Sequence, residues 1–161
     1  MEKKYRLVPI TDEEWCLTSG ARLHRIEALK DFADVKKGDL GGYVEGEKNL
    51  SQEGNCWIYD NAKVYDYARV SDNAKVLDEA DVYDDAIVCG SATIEEQAQI
   101  YGNAKVRELA TVGGNVQVRG FAQITGSAHV TGQNMVITKN TVLKDGYIEG
   151  RDMTIYSSIF D

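Results

Sequence analysis

The sequence predicts an all-β solenoid: three short strands per 18-residue coil, wound into a triangular prism behind an N-terminal cap. The first of three observations is a step of six. From Ile58, the positions Val64, Val70, Val76, Val82, Val88, Ile94, Ile100, Val106, Val112, Val118, Ile124, Val130, Val136, Val142 and Ile148 are all aliphatic and β-branched, and Thr154 follows. The second is alanine two residues ahead, at Ala62, Ala68, Ala74, Ala80, Ala86, Ala92, Ala98, Ala104 and Ala110; Val116 interrupts, then Ala122 and Ala128 resume. The third is turn chemistry between the strands, at Asp60-Asn61, Asp72-Asn73, Asp84-Asp85, Gly90-Ser91, Gly102-Asn103, Gly114-Asn115 and Gly126-Ser127. Asp, Asn and Gly tolerate bends and left-handed dihedrals that a branched side chain resists.

Within Ala62-Lys63-Val64-Tyr65, alternate residues face in and out, as a strand requires. Asp66 and Tyr67 then turn the chain into the strand begun by Ala68. Six is not a helical period, and Val with Gly or Asn at this density opposes a helix. An antiparallel sandwich would need longer hairpins and irregular spacing. The chain has 15 glycines and a single proline in 161 residues. Corners absorb many of the glycines, and proline is avoided because each coil's amides must bond the coils beside it.

Residues 1–50 lie outside the strict lattice and are expected to cap the upper end, where a solenoid exposes its interior and its strand edges. Ala21–Leu29 is ambiguous: strand alternation is imperfect, and Leu23, Ile26 and Leu29 also suit a helical face. Lys36-Lys37-Gly38-Asp39 reads as a turn. Leu50 and Cys56 share the alanine register, so coiling could begin near Gly42 rather than Ile58. The expected organisation is a cap and lead-in over 1–50, the helix proper over 51–157, and a tail over 158–161. Toward the tail the alanine register reads Asn134, Asn140, Gly146 and Asp152, so the coil is expected to loosen there. Tyr147, Tyr156, Ile159 and Phe160 would close the bottom or meet another subunit.

The unit Ile58-Tyr59-Asp60-Asn61-Ala62-Lys63 resembles the hexapeptide repeat of left-handed parallel β-helix proteins. The left hand comes from that resemblance. It is nearest to small prophage and bacterial hexapeptide-repeat proteins that carry a transferase label. They also share features of Gly38–Glu45 and Asn49–Trp57. The resemblance implies a homotrimer and a prophage setting; interference with a host system is a further expectation, drawn from the regular lattice, the absence of an extruded catalytic loop and an interface-like outward column.

Composition narrows the partners. Lys+Arg 18 against Asp+Glu 26 gives a formal charge of −8, which disfavours nucleic acid and anionic membrane. No apolar stretch follows the N-terminus as a signal segment, and none approaches the length of a membrane span. Cys16, Cys56 and Cys89 are odd in number and lack metal-ligand spacing, so free thiols in the cytoplasm are expected.

Residues 18 apart should stack on one face. One outward column reads Tyr65, Tyr83, Tyr101, Arg119, Ile137 and Ile155, and its neighbour Lys63, Asp81, Gln99, Gln117, Met135 and Met153. Together, Tyr65, Tyr83, Tyr101, Arg119, Met135, Ile137, Met153 and Ile155 are the candidate ligand or subunit-contact residues. The tyrosines are read as a subunit interface, with a ligand groove or ordinary cross-strand stacking as alternatives. Lys63, Lys105 or Arg119 would serve a small anionic ligand. Stacked corner carboxylates, Asp60, Asp78 and Glu96, read as solvated turns bonding their own backbone, with a calcium site as the alternative.

Hexapeptide-repeat acyltransferases commonly use a histidine base and bind an acyl-CoA arm between subunits. His129 is the candidate here, outward on the lattice, and His24 a weaker one in the cap. No extruded loop interrupts the repeat to build an acceptor pocket. Two histidines cannot supply the three distinct zinc ligands of a carbonic-anhydrase-like member, so no metal is expected. The reading is a non-catalytic, homo-oligomeric binding or scaffold protein without a cofactor. A CoA-dependent acyltransferase and an end-to-end polymer are the alternatives.

Overall fold

Each six-residue unit folds as a short strand and a corner. The computed structural model describes residues 2–10, 17–156 and 159–160. Cys16 and Asp161 lie outside the described residues, as do the side chains of Ile159 and Phe160, two of the four residues expected to close the bottom or meet another subunit. Pairing from coil to coil is parallel and steps by 18 residues: Lys75 lies beside Thr93, Asp81 beside Gln99, and Ile87 beside Lys105. The expected prism of 18-residue coils is therefore the fold observed. Among the described residues, no helix is long and apolar enough to cross a membrane.

Three faces follow. The first stacks Trp57–Ile58, Lys75–Val76, Thr93–Ile94 and Thr111–Val112; the second stacks Lys63–Val64, Asp81–Val82, Gln99–Ile100 and Asn115–Val118. The third stacks Arg69–Val70, Ile87–Val88, Lys105–Val106, Gln123–Thr125, Val142–Lys144 and Ile159–Phe160. One strand, His129–Thr138, runs across the corner and joins the first two faces into a single sheet. Alanines at the corners and Val or Ile at mid-strand are fully buried from Ala62 to Val130, which makes the core a narrow column.

The corners are held by a device that the sequence reading assigned differently. Asp60, Asp66, Asp72, Asp78 and Asp84 adopt φ of 52° to 59°, the left-handed region. Their carboxylates do not bond their own backbone. Each accepts the N–H of the corner residue 18 positions on: Asp72 from Gly90 at 2.9 Å, Asp78 from Glu96 at 2.9 Å, and Asp84 from Gly102 at 3.0 Å. The left-handed turn aims the side chain along the prism axis, so the nearest free donor belongs to the next coil.

The upper end is built by β1 (Tyr5–Pro9), β2 (His24–Ala28) and β3 (Leu40–Val44). β1 and β2 pair antiparallel, as do β2 and β3, while β3 pairs parallel with Lys63–Val64 and continues the second face. The ambiguous segment is thus a strand, with Ile26 and Ala28 turned into the core. Gly42 lets β3 pass close over the first coil: a Cβ there would stand 2.5 Å from the carbonyl of Ala62 and from Ile58 Cγ2. Lys4 plugs the top, only 1% exposed. Its Nζ donates to the Cys56 carbonyl at 2.9 Å and to those of Glu53 and Gly54 at 3.3 Å. Burial pulls the Lys4 pKa down and pushes the Cys56 thiol up, the latter opposed by the adjacent ammonium.

The lower coils depart from the lattice. A bulge after Asn115 sets Val116 opposite Met135 and Val118 opposite Ile137, so one extra residue enters at the first-to-second corner. Met135, Ile137, Thr141 and Leu143 are buried, while Val136 and Val142 are turned half outward. Asn134 and Asn140 never enter the core; Met135 and Thr141 take the alanine register, and the Thr141 hydroxyl donates to the Thr138 carbonyl at 2.6 Å. Tyr147 again pairs with His129, 18 residues back, so the extra residue is removed at the next corners. A one-residue slip exchanges the two faces of a strand, and Val136-Ile137 and Val142-Leu143 are apolar at both positions.

Candidate functional site

The second face carries the densest set of predicted residues. An 18-residue coil repeats the same outward position one strand spacing further on, roughly 4.8 Å away. Tyr65 and Tyr83 therefore stack with ring centroids 5.1 Å apart at 1°, and Tyr83 and Tyr101 at 4.9 Å and 3°. The Tyr101 hydroxyl donates to Gln117 Oε1 at 2.9 Å. The rings are half-buried. Burial, with neighbouring acids and phenols, raises the Tyr65 pKa and pushes Tyr83 up to about 12, with Arg119 pulling the other way. Tyr65 and Tyr83 are therefore neutral phenols at physiological pH.

Beside it, Lys63 Nζ stands 3.8 Å from Asp81 Oδ1. That oxygen is buried and has no hydrogen-bond partner, and burial raises the Asp81 pKa. The surface thus combines apolar ring area, phenolic O–H groups and a carboxylate oxygen short of a donor. Such a combination suits recognition of a polar partner with some apolar area.

The lower half of the two outward columns is corrected. Met135 and Ile137 are fully buried in the core, because the bulge moves each one position inward. The true continuations of the columns are Thr138 and Tyr156 below Arg119, and Val136 and Thr154 below Gln117. Met153 and Ile155 pair with Met135 and Ile137, so they face the bottom of the core rather than the side of the prism. Lys139 Nζ lies 4.7 Å from the centre of the Tyr156 ring.

The histidines stand apart. His129 is half-buried on the first face and stacks on Tyr147 at 5.1 Å and 6°. The His24 Nδ1 is 3.1 Å from the Glu45 carbonyl, in the cap. A cleft of about 670 Å3 opens at the widened corner between the first and second faces, with Gly114, Gly132 and Asn134 in its lining. Neither histidine lines it; Asp78, Glu79, Glu96 and Glu149 do. Negative charge of that density repels the phosphates of a CoA arm. Among the described residues, no group of three or more His, Cys, Asp or Glu is arranged to hold a metal ion. Sequence reasoning missed this cleft because it depends on the bulge, for which the only signal is the Gly113-Gly114 pair followed by Gly132.

No family model matches the chain. A segment of 50 residues, 30% of the chain, is 50% identical to an uncharacterized acetyltransferase, YdcK, of Escherichia coli (strain K12). The match spans 15% of the length of that relative.

Proposed function

We propose that this hexapeptide-repeat β-helix protein is a homo-oligomeric, non-catalytic binding or scaffold protein that recognises its partner through the second face. The single observation that carries the reading is the ladder Tyr65-Tyr83-Tyr101, held planar beside the under-bonded Asp81 carboxylate. A rigid prism fixes those side chains in advance, so little conformational entropy is lost on contact. Arg119 at the foot of the ladder suits a small anionic ligand, and a second copy set laterally about a threefold axis suits the rings. Interference with a host system, in the cytoplasm, is the role this reading takes from the regular lattice, the unbroken repeat and the outward tyrosine column.

Light scattering on the wild type and on Tyr83→Asp/Tyr101→Asp tests it. The expected result is an assembly of three chains, or a multiple of three, that the double variant reduces threefold. An unchanged mass with an unchanged circular dichroism spectrum would sink the lateral contact.

A second reading is acyl transfer from acyl-CoA at a groove between subunits, with His129 as the base. The acetyltransferase name of the bacterial relative favours it. Calorimetry with acetyl-CoA separates the two. Binding by the wild type, lost in a folded His129→Ala variant, supports the enzyme. No heat from either protein argues for the binding role.

A further inference from the structure

We propose that the lower end of the solenoid is a self-recognition surface, on which a second copy of this chain docks end to end about a twofold axis through the Arg151–Asp152 corner. The edge in question is the ten-residue strand Tyr147–Tyr156, which wraps the first and second faces. Its upper side pairs with His129–Thr138, and among the described residues its lower side pairs with nothing. Ile148 and Ile155 pack against the core from below, and Met153 is 43% exposed beside them. Such an edge, long and backed by apolar side chains, is a template for strand addition.

What identifies the occupant is the sequence of the edge, Tyr-Ile-Glu-Gly-Arg-Asp-Met-Thr-Ile-Tyr. Paired antiparallel with itself about its centre, it sets Tyr147 against Tyr156, Ile148 against Ile155, Glu149 against Thr154, Gly150 against Met153, and Arg151 against Asp152. Every apolar or aromatic residue meets apolar area or the side-chain-free Gly150, and the two opposite charges meet at the axis. A twofold contact requires this kind of self-complementarity.

Backbone direction agrees. In the coils, outward-facing residues turn their N–H toward the next coil: Tyr59 donates to the Val76 carbonyl and Lys63 to that of Ala80. On the last strand the outward residues are Tyr147 and Glu149 before the corner and Thr154 and Tyr156 after it, by their pairing with His129, Thr131, Val136 and Thr138. Antiparallel strands exchange hydrogen bonds between residues that both turn their polar groups to the partner. The self-pairing matches Tyr147 with Tyr156 and Glu149 with Thr154, outward against outward, and Ile148 with Ile155, inward against inward. An odd-numbered position meets an even-numbered one only because the corner carries the extra residue, so the bulge supplies the register that the contact needs. The prism allows it too. A twofold axis through one corner of a triangle exchanges the two faces that meet there and returns the third to itself. The first-face half of one edge therefore falls on the second-face half of the other. The His129–Tyr147 stack of one copy would then continue into the Tyr156–Lys139 pair of its partner.

Light scattering of the full chain with charge-reversal variants tests the docking. Arg151→Asp alone and Asp152→Arg alone set like charges at the axis, and each should halve the mass of the assembly. Combining Arg151→Asp with Asp152→Arg restores opposite charges and should restore the mass, which excludes misfolding as the cause of the losses. A wild type that runs as a single chain, an odd number of chains, or single variants that keep the wild-type mass would each overturn the proposal. The lateral reading fails separately. From a six-chain assembly, the ladder variant leaves two chains and the Arg151→Asp variant leaves three.

Discussion

Val116 of one coil lies opposite Met135 of the next, one residue beyond the 18-residue step that pairs Gln99 with Gln117 just above. That offset decides which side chains form the lower core. It also decides which residues are offered at the side and at the end of the prism.

The offset predicts an asymmetry between neighbours. Ile137→Asp buries a carboxylate in the fully enclosed core and should cost about 4 kcal/mol or more. Val136→Asp places the same group on the half-exposed second face and should cost under about 1 kcal/mol. Urea unfolding of both variants checks this, and the opposite order would restore the uninterrupted six-residue register.

Gly114→Ala should destabilise by about 2–3 kcal/mol. Its φ of 69° is shared by corners that carry Asp or Glu, so conformation alone is a small part of the cost. The larger part is that a Cβ there would run into the carbonyl of Gly132 in the coil below. Thermal melts of Gly114→Ala and of Gly146→Ala, where the added Cβ meets open space, should separate the two contributions.

Lys4→Ala should cost about 2–4 kcal/mol, because three carbonyls beneath the cap lose their donor. Lys4→Met keeps the apolar stem and should not recover the loss, since a thioether donates nothing. Equal stability of the Met variant and the wild type, by chemical denaturation, would show that packing alone holds the cap.

Asp81→Asn should raise the melting temperature at pH 7. Burial lifts the Asp81 pKa above its ordinary 3.8, so the folded chain holds the proton more tightly than the unfolded one. The stabilisation from that proton is present in full below the unfolded value and is lost as pH rises through the lifted folded value. The advantage of the neutral isostere should therefore shrink as the pH of the melt is lowered toward 3.8. A gap that widens on acidification would contradict the raised pKa.

Much of this was legible in the residues. A β-branched residue every six positions, led by alanine, leaves one way to bury both on short strands. Aspartate and glycine at the remaining positions mark the left-handed corners, and the tyrosines 18 apart had to stack once the coil length was set. The cap was less legible because Leu23, Ile26 and Leu29 satisfy either period; only the pairing of β2 between β1 and β3 makes it a strand. The target of the corner carboxylates was hidden as well, since their donors lie 18 residues away along the chain.

The sequence by itself determined the solenoid, its coil length and the tyrosine ladder, because each depends on a local repeat multiplied many times. Only the tertiary structure decided the register below Val130. There Val136 and Ile137 are equally apolar, and the choice between them rests on the neighbouring strand, where the bulge after Asn115 sets Val118 against Ile137. From that one displaced residue follow the core role of Met135, the acidic cleft, and the self-complementary edge at the foot of the prism.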